Sequence, residues 1–212
     1  MDRAIRLVRD TYREEIKLGL RNISKIIQKE TLGLGAPVTI AFRVVLAPEI
    51  RNNVYNQIDL IIENAVKYDI KQDIDILLNG NFENYLKYDL TVSYLRKNHE
   101  KAAEIKELVK DIFKHRIVLA KKLISAYKIG NFQNYDDLTR LAFPNRMDAE
   151  NAINEEIDLS NKVLDIIKEN PDIIYAPPII QEFGLMIVEQ LMKYGNNRKK
   201  SNLDKIYENG DK

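Results

Sequence analysis

Apolar positions recur along this chain at helical spacing, and no run alternates as a half-buried strand does. Near the N-terminus Ile5, Val8, Tyr12, Ile16, Ile23, Ile26 and Ile27 share one side of a helical wheel. That pattern predicts a first helix over Asp2–Glu30, stopped before Gly33 and Gly35. A short apolar element follows Pro37 at Val38–Leu46, and its single charge, Arg43, predicts a segment covered on most sides. The nearest approach to a membrane span, Leu32–Ala47, is shorter than the ~20 residues a span needs and contains Pro37 and Arg43. No transmembrane segment is therefore expected. Acids at Asp2, Asp10, Glu14 and Glu15 interrupt any secretion signal, so a cytoplasmic location is expected.

From Pro48 to Asn79 the positions Ile50, Val54, Ile58, Ile62, Val66, Ile70, Ile74 and Leu78 recur every fourth residue. Such a stripe drifts about 40° per step on an α-helix. The segment must be buried by several neighbours or break, and Asp69 with Gln72 offers a capping box that places the break near Tyr68. The hexapeptide Gly80-Asn81-Phe82-Glu83-Asn84-Tyr85 then returns as Gly130-Asn131-Phe132-Gln133-Asn134-Tyr135. Its composition suits a helix-ending Gly, a Phe that packs the corner and a second Asn that caps the next helix. The fifty-residue separation differs from the roughly 34 of tetratricopeptide repeats, and one turn used twice explains it.

The strongest helical pattern is Glu100–Ile129, whose seam Ala102, Ile105, Val109, Ile112, Leu119, Leu123 and Ala126 is interrupted only by Arg116. Whether it continues back through Arg96–His99 is open at this point. After Pro144, Asp148 is expected to cap a helix reaching Asn170, which Pro171 ends. A last apolar helix is expected over Ile179–Tyr194, with Gly195 as its stop and a polar, frayed tail from Asn196. One domain over residues 1–195 with that tail follows. The fold class is all-α: an irregular bundle of six or seven helices around two long central ones.

Composition changes this picture little, but charge distribution changes it more. Ile, Lys and Asn supply about a third of the 212 residues, and 33 basic residues balance 32 acidic ones. Those charges are segregated. Arg3, Arg6, Arg9, Arg13, Lys17, Arg21, Lys25 and Lys29 form a stripe on the first helix, whereas Met147–Asp172 carries a net −6. A basic amphipathic helix can track phosphates or lie on an anionic membrane. Asp10 and Glu14 intrude on the stripe at ion-pair spacing, however, and no Phe or Trp wedges the apolar face.

The absence of Cys excludes thiol catalysis, zinc fingers and iron–sulfur ligation. No nucleophile elbow or phosphate loop is present. Neither His99 nor His115 follows a Glu by three residues, so a di-iron bundle is not indicated; Asp111 and His115 share a helix face. Glu155 and Glu156 point in different directions on a helix and are read as solvated. No catalytic residue, metal site or cofactor is assigned. The expectation is a non-catalytic helical interaction or scaffold protein that self-associates, with a protein or itself as partner. Its dimer interface would use Val38, Ile40, Phe42, Val45, Ile179, Phe183 and Ile187. The competing reading is a nucleic-acid or anionic-membrane binder that uses the basic stripe.

Overall fold

The N-terminal apolar stripe folds as α1, Asp2–Glu30, the bounds its periodicity predicts. The computed structural model describes residues 1–30, 40, 42–68, 81–175 and 178–208. A π-helical turn, Phe42–Leu46, leads directly into α2, Ala47–Lys67. Pro48 sits in the first turn of α2, where its missing N–H has no intrahelical partner to lose. The helix ends where Tyr68 turns extended, with ψ 146°. The expected break is therefore present, and the later stripe positions Ile70, Ile74 and Leu78 lie outside the described residues.

The segment around Phe42 differs from its expected covered state. Phe42 is fully buried against Leu20, Ile23 and Ile27, while Ile40, Val44 and Val45 are 60%, 68% and 60% exposed. A single helical turn can offer only one face to α1, so Val44 and Val45 meet solvent while Leu46 packs partly against the Phe42 cluster.

The two hexapeptide copies also part company. Residues 81–86 are helical, whereas the second copy is irregular up to Asn134, which caps α4, Tyr135–Ala142. The residue three positions after each second Asn explains the difference. Asp137 completes a capping box, accepting from the Asn134 N–H while Asn134 Oδ1 accepts from the Asp137 N–H at 2.9 Å. The first copy has Lys87 at that place, and its ammonium donates to Asn84 Oδ1 at 2.9 Å. One turn used twice is thus corrected to one sequence with two structures.

The seam of the central helix becomes α3, Ala102–Ser125, continued by a 3-10 turn at Ala126–Lys128. It does not run back through Arg96–His99. That stretch turns instead, and Leu95 makes an isolated antiparallel bridge with Ile174. Ile105, Val109, Phe113, Ile117 and Ala120 are buried along α3, and Phe113 stacks on Tyr85 with ring centroids 4.2 Å apart. Next comes α5, Arg146–Glu169, entered from Asn145 rather than capped by Asp148. Because the helix starts two residues beyond Pro144, Asp148 falls inside its first turn, where a carboxylate complements the helix dipole.

The last helix, α6, spans Pro178–Glu208, so Gly195 does not stop it. Leu203 and Ile206, in the expected tail, are 4% and 3% exposed, and the packing they gain outweighs the poor helix propensity of glycine. Arg146 holds this end, donating to Glu150, Asp204 and Glu208 at 2.6, 2.6 and 3.2 Å. A β-carbon on Gly195 would meet nothing within 4 Å. Gly195→Ala is therefore expected to stabilise the protein by about 0.5–1 kcal/mol, raising Tm by a few degrees in a thermal melt. A lowered Tm would mean that the backbone there needs glycine.

The assembled structure is an all-α bundle with long central helices. α3 packs against α1, α2, α4 and α5, and α6 closes over α1, α4 and α5. No helix among the described residues is long and apolar enough to cross a membrane.

Candidate functional site

The basic stripe of α1 divides into residues that hold the bundle and residues that face out. Arg3 donates to the Gln133 carbonyl at 3.0 Å and lies over the Phe132 ring, fastening α1 to the loop before α4. Arg9 and Arg13 share Asp59 of α2 at 3.1 and 2.6 Å, with Arg13 also over Tyr55. Lys17 pairs with Glu14 one turn earlier. Arg6, Arg21, Lys25 and Lys29 are exposed. Lys17, Arg21 and Lys25 meet Arg43 and Arg51 around a groove of about 780 Å³ between α1, the π-helical turn and α2. Among the described residues no carboxylate lines it. Arg43 is pinned there by Ser24 Oγ and by Gln28 Oε1, the latter at 3.1 Å.

On α5, Asp148, Glu155, Asp158, Asp165 and Glu169 are exposed along one face, with Lys162 in the same row. Among the described residues no ion pair joins an α1 cation to an α5 carboxylate; the α1 pairs end on Asp59 and Glu14. The opposite charges therefore occupy separate surfaces.

Of the seven residues expected at a dimer interface, Phe42 is buried in its own chain and Ile40 and Val45 are exposed. Val38 and the side chains of Ile179, Phe183 and Ile187 lie outside the described residues. The two histidines are engaged locally. His115 Nε2 is 2.9 Å from the Ala152 carbonyl, with Nδ1 3.4 Å from Glu155, and His99 Nδ1 accepts from the Lys101 N–H. Asp111 is exposed and His115 turns toward α5, so that pair does not converge.

The bundle interior holds a second site. A cavity of about 410 Å³ is lined by residues of all six long helices. Its wall is mainly apolar, and its charged side chains gather around Glu156 and Glu15. Glu156, placed by α5, accepts from Arg116 of α3 at 2.9 Å and from Lys199 of α6 at 2.8 Å. Arg116 also donates to the Tyr85 hydroxyl at 3.1 Å. Asn202 donates to Glu15 at 2.9 Å, and the Tyr12 and Tyr135 rings meet edge to face with centroids 6.4 Å apart. The Glu156 side chain is only 13% exposed, which corrects its reading as a solvated carboxylate.

No protein-family model, curated protein or solved structure matches this chain.

The cavity's electrostatics follow from burial and pairing. Burial works to raise the Glu156 carboxyl, but the neighbouring Arg116 and Lys199 charges win and hold it well below the ordinary range. Glu15 goes the other way: burial raises it, against the pull of Arg198 and Lys199. Burial pushes the Tyr85 hydroxyl up to about 12, so it stays a neutral hydrogen-bonding group beside Arg116. Sequence carried one signal of this cluster, the lone cation in the α3 seam. A cation at an otherwise apolar seam position must find a buried partner. Which carboxylate meets it depends on how α5 and α6 pack, and no local pattern records that.

Proposed function

We propose that the protein is a non-catalytic helical interaction protein that self-associates, the basic face of one copy seating on the acidic row of another. The observation that carries this is charge left unmatched within the chain. The groove bears Arg21, Lys25, Arg43 and Arg51 without a lining carboxylate, and the α5 row offers Asp148, Asp158, Asp165 and Glu169 against Lys162. Ile40, Val44 and Val45 supply exposed apolar area beside Arg43, as an interface with an apolar centre and a charged rim requires. Opposed potentials of this kind steer association and fix register.

The test is a charge exchange followed by light scattering or sedimentation. The unaltered protein should associate at low ionic strength and dissociate near ~1 M salt, where exposed charges are screened within about 3 Å. Arg21→Glu with Lys25→Glu should be monomeric, as should Asp158→Lys with Asp165→Lys, and a mixture of the two variants should associate again. A monomeric wild type at low salt and high concentration overturns the proposal. If the wild type is monomeric yet binds RNA or anionic vesicles through Arg21 and Lys25, the polyanion reading replaces it.

A further inference from the structure

We propose that the central cavity is a binding site for a small amphipathic carboxylate, an apolar body ending in one negative charge. Its volume of about 410 Å³ falls in the ~300–1,000 Å³ range of ligand pockets. The walls are built from side chains such as Leu20, Ile58, Leu119, Leu123, Ile153 and Leu203, which suit an aliphatic or aromatic body. Its charged side chains, Glu15, Arg116, Glu156, Arg198 and Lys199, act on one another, which suits one charged head group.

The sign of that head follows from what the cluster leaves unmatched. Three cations line the cavity, Arg116, Arg198 and Lys199, against two carboxyls, Glu15 and Glu156. Arg116 and Lys199 are both committed to Glu156. Arg198 attracts the Glu15 carboxyl but makes no direct ion pair with it. Its Nε is buried away from solvent and has no hydrogen-bond partner. A buried donor without an acceptor costs free energy until one arrives, and the acceptor that also balances the surplus positive charge is an anion. A carboxylate accepts from a guanidinium in good geometry and is small enough to leave the cavity to its apolar body. An alcohol would satisfy the donor without the charge. An alkylammonium, the form an amine takes at neutral pH, would satisfy neither.

The experiment is calorimetric titration of the full chain with decanoate, 1-decanol and decylamine, which share a body and differ in head group. Decanoate should saturate at one molecule per chain and bind at least about tenfold tighter than decanol, with decylamine weakest. Arg198→Met should bring decanoate down to the affinity of decanol in the same variant, with decanol losing several-fold less than decanoate, a head-group-selective effect that general loss of structure would not produce. Should that variant fail to fold, the head-group ranking on the unaltered protein decides alone. Equal binding of decanoate and decanol, preference for the amine, several molecules per chain, or no saturable binding of any probe overturns the proposal.

Discussion

A chain ended after Gly195 is expected to lose its cooperative fold rather than a loose tail. The deleted segment carries Leu203 and Ile206, both almost fully buried, and truncating such a side chain costs about 2–5 kcal/mol even when the helix around it survives. It also carries Lys199, Asn202, Asp204 and Tyr207. Without them Glu156 keeps one of its two cations, Glu15 loses its amide donor and Arg146 loses its partner Asp204. The Phe143 carbonyl loses the Tyr207 hydroxyl at 2.6 Å, and Arg140 loses the Ile206 carbonyl at 2.8 Å. Added together, these losses rival the roughly 5–15 kcal/mol by which a whole domain is stable. Circular dichroism of the shortened chain in a urea series should show no cooperative transition where the full chain shows one. A shortened chain that unfolds with the full-length midpoint would sink this account.

The same segment shows how far a sequence of this kind can be read. α1 and α3 were legible because their apolar stripes are long and their polar faces clean, so periodicity and charge placement agree. Gly195 misled for a local reason: glycine usually ends helices, and Asn196–Lys200 carries no apolar residue to contradict it. The two residues that keep the helix going, Leu203 and Ile206, lie about two and three turns beyond Gly195, and their burial depends on α1, α4 and α5. The paired hexapeptides misled differently. Five shared residues concealed that the deciding position, Asp137 or Lys87, lies just beyond each copy. For the cavity the sequence offered Arg116 alone, since Glu156 and Lys199 are unremarkable on their own helices. Partners separated by 40 and 43 residues meet through packing, not through spacing.

Glu156→Gln tests that meeting directly. The substitution keeps the shape of the side chain but removes the charge that Arg116 and Lys199 share. Breaking a buried ion pair from one side costs ~3–5 kcal/mol, and the partial exposure of Arg116 puts the expected loss at the lower end, about 3 kcal/mol at neutral pH. The pH dependence carries the sharper signature. Glu156 titrates below its ordinary value of 4.5 in the folded chain. Its stabilising contribution is therefore complete above that value and is lost as pH falls from there toward the folded-state titration. Glu15 has the opposite sign: raised by burial, it favours the fold at low pH and costs stability once ionised. Glu15 is present in both chains, so the difference between their urea midpoints reports chiefly on Glu156. That difference should be constant from neutral pH down to the carboxylate range and then shrink, because protonating the wild-type residue removes the same charge. Midpoints that stay equally far apart through acid would show that Glu156 is not held ionised by Arg116 and Lys199.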